Sequence, residues 1–446
     1  MAHRTDRPSN ERMERMRRIS RYYSGVAFGR TTICCSAVAV AAAFCVHVDA
    51  QTATTASRQV RQTRSADDKT PLQLFPVASL WTLALNNALT AAPAFDETRG
   101  FFPLEGDQLA AYDLVGRRLL WMAPVRTTVE PVAGDGFVFV VEPDALVALH
   151  VQDGVVAWKV PFTETLAVPP AFAGEWLVIA TTTGDIVARH ARDGAVAWRQ
   201  HLNAPAHARP EIAGARLFVQ TSDAHVIALN VNSGAPLWDR RLGKAGNEIF
   251  ATNERLFLGS EDRYFYCLNA ATGVVEWRWP TGANAIGRPV VDERTVYFVS
   301  LDNVLRALSL SSGVQQWKSS LPVRPSTGPI KWSQTLVVVG TTPGLKAYNA
   351  KDGKPAGQAS TPSEVSAPPH LIADPSSPLP VLLAVTSDIT GRATVTASTR
   401  TVEPTIVAVA PLPNAAVPAP PVDPPEDLGA VNPLPNLSLV SPAAEP

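Results

Sequence analysis

A tryptophan repeat constrains the fold of this chain more than any other feature. Between Ala148 and Trp158 the sequence reads ALHVQDGVVAW, and closely similar segments return at a period of 39 or 40 residues. The tryptophans of the series are Trp81, Trp121, Trp158, Trp198, Trp238, Trp277 and Trp317. Gly357 occupies the position of an eighth. A period of this length is typical of a repeat architecture.

Each repeat contains short apolar runs separated by turn residues. One repeat has an apolar run at 176–180, a second at 185–188, and then the Asp193-Gly194 turn before Trp198. These runs have the length of strands rather than helices. The turn glycine permits the positive φ that a tight hairpin needs, and the preceding Asp, Ser or Thr can hydrogen-bond the turn backbone. Four short antiparallel strands in about 40 residues form one blade of a β-propeller.

The number of markers predicts an all-β fold, an eight-bladed β-propeller of four-stranded antiparallel blades, at residues 72–400. The last set of strands, within 380–396, has no tryptophan-bearing strand after it. We expect the segment Leu80-Trp81-Thr82 to supply that missing strand, so that the N-terminal strand closes the ring and removes its unpaired sheet edges. The segment 405–410 is an alternative C-terminal strand that would alter this closure.

The two ends of the chain differ in composition from the repeats. Residues 1–50 combine an Arg-rich start with the apolar run 33–48, which predicts a signal peptide cleaved before Gln51. An uncleaved membrane anchor is the alternative, although the run is shorter than the ~20 residues of a membrane span. Residues 51–71 are predicted to be a flexible linker. Residues 401–446 are predicted to be a disordered tail, with 11 prolines in the last 36 residues, that acts as a spacer or a docking segment.

No pattern in the sequence indicates catalysis or metal binding. The chain contains no Gly-x-Ser-x-Gly, Cys-x-x-Cys or His-Glu-x-x-His motif and no phosphate loop. Cys267 lies after the predicted signal peptide, in the small-residue position of the repeat, and is expected to be a buried apolar cysteine. His150 and His190 occupy equivalent repeat positions, whereas His207 and His225 fall in different strands. Because these four residues show no ligand spacing, we expect them to be surface or strand histidines. The net charge of −1 offers no basic field for nucleic acid.

Charged residues precede the innermost strand in several repeats. Glu130, Arg209 and Arg288 each stand directly before a proline, and Glu248 lies in the corresponding region of another repeat. If the propeller closes as predicted, these residues lie at one end of its axis. Two interpretations are open: a mixed-charge ring that binds peptides or small anions, or simply the solvated ends of inner strands.

The repeated Ala-x-[Asp/Asn/His]-x-x-x-Gly-x-x-x-Trp pattern resembles the repeat of the PQQ-like (quinoprotein-type) propeller family, over residues 75–400. The resemblance implies that each tryptophan is a docking residue wedged between adjacent sheets. Two copies depart from the pattern: Gly116 lies one residue early, with Arg117 in the usual glycine position, and Gly357 replaces the last tryptophan.

The resemblance implies one of two functions. One class of the family consists of dehydrogenases that hold PQQ and calcium on the axis, many with an adjacent cysteine pair. Here the adjacent pair, Cys34-Cys35, falls in the predicted signal peptide, and repeats near 40 residues leave no insertion to build a cofactor pocket. The other class is the BamB type of outer-membrane assembly factor, which binds proteins and has no catalytic activity.

We therefore predict a non-catalytic, BamB-like binding scaffold of the cell envelope, acting in outer-membrane protein assembly. It is expected to be periplasmic and associated with the outer membrane, to bind protein partners rather than nucleic acid, and to be monomeric. No catalytic, cofactor or metal residues and no transmembrane domain in the mature chain are expected. A PQQ-dependent dehydrogenase that binds PQQ and calcium on the axis is the alternative.

Overall fold

The structure, a computed structural model, describes residues 73–374, 377 and 379–400, and within these ranges the regular structure consists of β-strands. The predicted signal peptide, linker and tail and the alternative strand at 405–410 lie outside the described residues. The described strands assemble into eight four-stranded sheets.

In blades 1 to 7 the four strands follow one another in sequence from the innermost to the outermost. Blade 1 contains β2 (Ala94–Phe95), β3 (Arg99–Leu104), β4 (Gln108–Asp113) and β5 (Arg118–Pro124). Blade 2 contains β6 (Val132–Gly134), β7 (Phe137–Val141), β8 (Ala145–His150) and β9 (Val156–Pro161). Blade 3 contains β10 (Ala171–Ala173), β11 (Trp176–Ala180), β12 (Asp185–His190) and β13 (Val196–His201). Blade 4 contains β14 (Glu211–Ala213), β15 (Arg216–Gln220), β16 (His225–Asn230) and β17 (Pro236–Arg241).

The remaining blades repeat this arrangement. Blade 5 contains β18 (Phe250–Ala251), β19 (Arg255–Gly259), β20 (Tyr264–Asn269) and β21 (Val275–Pro280). Blade 6 contains β22 (Ala285–Val291), β23 (Thr295–Ser300), β24 (Val304–Ser309) and β25 (Gln315–Ser320). Blade 7 contains β26 (Ile330–Trp332), β27 (Thr335–Val339), β28 (Leu345–Asn349) and β29 (Pro355–Ala359). Blade 8 contains β30 (His370–Ile372), β31 (Val381–Ser387), β32 (Arg392–Arg400) and β1 (Val77–Ala88).

Blade 8 joins the two ends of the described chain. Strand β1 pairs antiparallel with β32, so that Val77 lies opposite Arg400 and Ala84 lies opposite Thr394. The predicted all-β, eight-bladed propeller of four-stranded antiparallel blades, closed by the N-terminal strand, is confirmed.

The hydrophobic core lies between the blades. Strand β11 is buried along its whole length, because each sheet is covered on both faces by its neighbours. Between blades 3 and 4, Val178 and Ala188 pack with Leu217 and Val219 in one such cluster. The same arrangement recurs around the ring, which explains why the middle strands appear in the sequence as almost continuous apolar runs.

The repeated tryptophans lie on the outer strands and point toward the next blade. Six indole N–H groups donate to a carbonyl oxygen of the following blade, at 2.7 to 3.0 Å; the pairs are Trp121 with Val151, Trp158 with Ala191, Trp198 with Val231, Trp238 with Ala270, Trp277 with Leu310 and Trp317 with Ala350. The turn glycine of that blade lies against the indole. At Gly234, φ is +72° and a Cβ would lie 2.5 Å from the Trp198 ring, so both the backbone conformation and the close contact require glycine.

The two irregular repeats are accommodated differently. Trp81 is buried in a cluster with Tyr112 and Leu114 of blade 1, and Arg117 takes the position of the turn glycine, with φ of +56°. In blade 7 the space beside Gly357 is occupied by Phe75, from the segment just before β1, at 3.0 Å from the position of a glycine Cβ. Phe75 thus takes the place of the absent eighth tryptophan.

Candidate binding site at the propeller axis

In every blade the chain enters the innermost strand through a similar short segment. We call the residue two positions before the innermost strand of a blade the ring position. In blade 6, where β22 begins earlier in the repeat, the ring position is the residue that aligns with those of the other blades. Its occupants in blades 1 to 8 are Ala92, Glu130, Pro169, Arg209, Glu248, Arg288, Gly328 and Pro368. In seven of the eight blades the next residue is proline, which lacks an N–H group and therefore suits a strand edge that pairs with no further strand.

Two ion pairs connect blades that are not neighbours. Arg209 of blade 4 places Nη2 2.7 Å from Oε2 of Glu130 in blade 2. Arg288 of blade 6 pairs with Glu211 in blade 4, and its guanidinium lies 4.7 Å from the ring centroid of Phe250. Each pair spans one intervening blade. Three of the four charged residues that the sequence predicted at the end of the axis therefore form ion pairs. Arg209 pairs with Glu130, which was also predicted, and Arg288 pairs with Glu211, which was not.

The fourth predicted residue, Glu248, is exposed, and its charge acts on the Glu211 carboxyl. Burial is the main effect that raises the pKa of Glu211, and Glu248 adds to it, whereas the Arg288 charge acts in the opposite direction. Sequence reasoning missed Glu211. Glu211 is the first residue of the inner strand β14 and stands two positions after Arg209. That position in the repeat was the available signal in the sequence.

A cavity of about 240 Å³ opens between blades 8, 1 and 2, with the Glu130–Arg209 pair among its lining residues. His370 and Phe95 form one wall; their rings are stacked, with centroids 4.6 Å apart and planes inclined by 10°. Burial lowers the pKa of His370, although the charge of Asp96 opposes that effect, so its imidazole is neutral at neutral pH. Neither His370 nor Phe95 was identified as a site residue from the sequence.

The residues at the ring position differ between the two sides of the axis. Blades 8 and 1 carry Pro368 and Ala92, whose short side chains leave space beside the axis. Blades 4 and 6 instead carry Arg209 and Arg288, whose long side chains reach across to blades 2 and 4. At this end of the axis one side therefore carries the two ion pairs, and the other side has an open recess.

The other histidines and the cysteine considered in the sequence lie elsewhere in the blades. His150 packs on Phe137, and His190 packs on Trp176, with ring centroids 5.3 and 5.2 Å apart. His225 pairs with Asp239, and His207 lies 3.8 Å from Glu261. Cys267 is fully buried, and burial raises its thiol pKa to about 12, so it is not a thiolate at neutral pH.

Residues 73–374, 377 and 379–400 contain no group of three or more His, Cys, Asp or Glu side chains arranged to hold a metal ion. Over the same ranges, no helix is long and apolar enough to span a membrane.

Comparison with known proteins identifies related sequences and folds. The family model of the outer membrane protein assembly factor BamB matches residues 78–168, 145–250 and 228–400. BamB from Yersinia pestis is 33% identical over 73 residues, which is 16% of this chain and 19% of that protein, so the match spans about a fifth of the relative.

Solved structures with the same fold include both classes of protein considered from the sequence. BamB from Moraxella catarrhalis superposes with a TM-score of 0.59 at 16% identity, covering 73% of this chain and all of that one. The quinohemoprotein alcohol dehydrogenase ADHIIG from Pseudomonas putida HK5 also gives a TM-score of 0.59, at 13% identity, covering 76% of this chain and 78% of that one. At these identities the similarity shows the propeller fold.

Proposed function

Because the chain belongs to the family of the outer membrane protein assembly factor BamB, we propose that it is a non-catalytic binding scaffold of the cell envelope that acts in outer-membrane protein assembly. The observation that carries this proposal is the composition of the axial mouth. In a PQQ dehydrogenase the axis must supply a cofactor site, whereas here four charged side chains at the axis form two ion pairs, Glu130 with Arg209 and Glu211 with Arg288.

The axial residues do not fit PQQ and calcium. Calcium takes six to eight oxygen ligands, with carboxylates prominent among them. The two buried or half-buried carboxylates at the mouth, Glu130 and Glu211, are each paired with an arginine, whose charge would repel the cation. The cavity of about 240 Å³ is also smaller than the roughly 300 to 1,000 Å³ of typical cofactor sites.

The propeller offers surfaces suited to protein partners. Strands β9 and β13 are the outermost strands of their sheets, and Val156 and Val196 on them are about half exposed. An outermost strand can accept a further strand from a partner, and the loops at either end of a rigid propeller can dock against a partner's loops. These features support binding of envelope proteins rather than conversion of a small substrate.

The location and the chain ends form part of the proposal. We expect export by the signal peptide at 1–50, a mature N-terminus at Gln51, a linker at 51–71 and a spacer at 401–446. Mass spectrometry of the protein isolated from the envelope tests the cleavage. A mature chain that still contains Arg30 would indicate a membrane-anchored protein, and size-exclusion chromatography with light scattering tests the expected monomer.

Crosslinking in intact cells, followed by purification, tests the assembly role. Recovery of an outer-membrane protein assembly component with the wild-type chain is the expected result, and recovery of cytosolic proteins alone would contradict it. A parallel assay adds PQQ and calcium to the purified protein and measures dye reduction with alcohols and aldoses. Saturable turnover in that assay would overturn the non-catalytic scaffold in favour of the dehydrogenase alternative.

A further inference from the structure

We propose that residues 405–410 pair with the outer edge of β1 as a fifth strand of blade 8 and thereby close that edge to other chains. The inference goes beyond the scaffold function and does not depend on the identity of any partner. The spacer proposed for 401–446 is then limited to residues 411–446. Three observations support this pairing: the composition of β1, the place where β32 ends and the sequence of the segment.

Strand β1 lacks the features that protect the outermost strands of the other blades. An outermost strand presents unpaired backbone groups, and proteins keep other chains off it with a short strand, with charges or with proline. The outermost strands β5, β9, β13, β17, β21 and β25 have six or seven residues, and each carries a charged side chain. Strand β29 has five residues, including Pro355 and Gly357. Strand β1 has twelve residues and contains no charge, proline or glycine.

The outer edge of β1 offers a regular stretch for a further strand. Among the described strands, β1 pairs with β32 alone, so its other edge faces away from blade 8. The register with β32 shifts between Ser79 and Trp81, and again between Ala84 and Ala88. Such shifts disrupt a ladder locally. The residues between them, 81–84, pair in regular register and form the part of the edge on which a fifth strand can pair.

The end of β32 brings the following residues to this edge. Arg400, the last residue of β32, lies opposite Val77 at the start of β1, and its guanidinium donates to the carbonyl oxygen of Gln73 at 2.9 Å. A fifth strand lies two strand spacings from β32, which is about 10 Å. The four residues 401–404 span up to about 13 Å, so the link is long enough. Residues 405–410 then run parallel to β1.

The segment has the composition of a strand that needs a partner. Residues 405–410 read TIVAVA, with four β-branched residues and no charge, between Pro404 and Pro411. Six extended residues cover about 20 Å, which exceeds the length of the regular stretch of β1. Because β1 supplies the fourth strand of blade 8, the segment is not needed for closure of the ring. An apolar run of this kind is an aggregation hazard when it is left free, and pairing with β1 removes that hazard.

Hydrogen exchange of the full chain, measured by mass spectrometry, tests the pairing. We expect the amides of 405–410 to exchange about tenfold or more slowly than those of the proline-rich residues 411–446. Val407→Pro removes a backbone donor at the centre of the segment. It should bring the exchange of the whole segment to the rate of the tail and accelerate exchange within 81–84 of β1. Val417→Pro, in the tail, is the matched control and should change neither.

A peptide probe tests whether the edge is closed. A fluorescent peptide with the sequence of residues 401–412 is titrated against wild type, V407P and V417P, and binding is followed by anisotropy. In wild type and V417P the tethered segment competes for β1 at an effective concentration in the millimolar range. We therefore expect the peptide to bind V407P about tenfold or more tightly than it binds the other two proteins.

Several results would overturn the proposal. One is exchange of 405–410 at the rate of the tail in wild type. Another is protection that V407P removes without any change in β1, because the segment would then pair elsewhere. Equal affinity of the peptide for all three proteins, or no binding to any of them, would contradict the closed edge. Exchange in β11 and β12 should be the same in V407P and wild type, since the substitution lies outside the blades. Crosslinking in cells tests the scaffold function separately, because none of these results depends on the protein recovered there.

Discussion

Replacing Phe75 with alanine tests how the ring is closed. Phe75 is 1% exposed and packs in the cluster between blades 7 and 8, beside Gly357. Removal of a fully buried phenylalanine side chain costs about 3 to 5 kcal/mol, through lost burial and the cavity left behind. Unfolding entropy is about 2.1 cal/mol/K per residue, so a propeller of about 325 described residues gains roughly 0.7 kcal/mol/K on unfolding. A loss of about 4 kcal/mol therefore lowers the melting temperature by about 6 °C.

The location of the loss is as informative as its size. The N–H of Leu74 donates to Oγ1 of Thr335 in blade 7 at 3.2 Å, so the segment holding Phe75 anchors the start of β1. Calorimetry should be combined with hydrogen exchange. In F75A, exchange should accelerate mainly in β1 and β32 and remain unchanged in β11 and β12, on the other side of the ring.

The conservative variant Phe75→Leu is the control, because it keeps most of the buried volume and should cost less than about 1.5 kcal/mol. A melting temperature of F75A within about 1 °C of wild type would refute the reasoning. Faster exchange spread evenly over all blades would also refute it, since Phe75 would then have no particular role in closure.

Three further predictions concern single side chains. Trp198→Ala should destabilise the protein by about 3 to 5 kcal/mol in chemical unfolding, whereas Val196→Ala on the exposed face of the same strand should change stability by less than about 0.5 kcal/mol. Arg288→Met leaves the Glu211 carboxyl without its cation and should cost about 1 to 3 kcal/mol at pH 7, and an unchanged unfolding midpoint would contradict the ion pair. For His370, burial lowers the folded-state pKa below 6.5, so the unfolded chain binds the proton first and stability falls as pH decreases from 6.5 toward the folded-state pKa. His370→Phe should remove that loss, of at most about 1.4 kcal/mol per pH unit, in melting curves recorded between pH 7.5 and 5.5; parallel curves for variant and wild type would contradict it.

The spacing of the tryptophans was sufficient to predict the number of blades, because each blade is built from contiguous chain and its turn chemistry is local. Closure was also predictable, since seven complete sets of strands left one incomplete set at each end. The role of Phe75 in closing the ring was not predictable from the sequence. It contacts Gly357 only because the ring brings distant segments together, and a lone phenylalanine before the first repeat has no periodic signal.

The axial site was predictable in part for a similar reason. The charge and proline pattern places Glu130, Arg209 and Arg288 at equivalent positions of their blades. Which carboxylate each arginine reaches depends on side-chain length and on the path across the axis, neither of which repeats along the chain. Glu211 was therefore not predictable, and neither was the cavity that lies beside Ala92 and Pro368.

The pairing of β1 with β32 also affects the order in which the chain can fold. Seven blades consist of consecutive hairpins, so each can form as soon as its own segment is available, with low contact order. Blade 8 must wait for residue 400, because Val77 pairs with Arg400. Until then β1 has no partner strand, and β1 of one molecule can pair with β32 of another. At high concentration, refolding should therefore yield strand-exchanged dimers joined through blade 8, while slow dilution should yield the closed monomer.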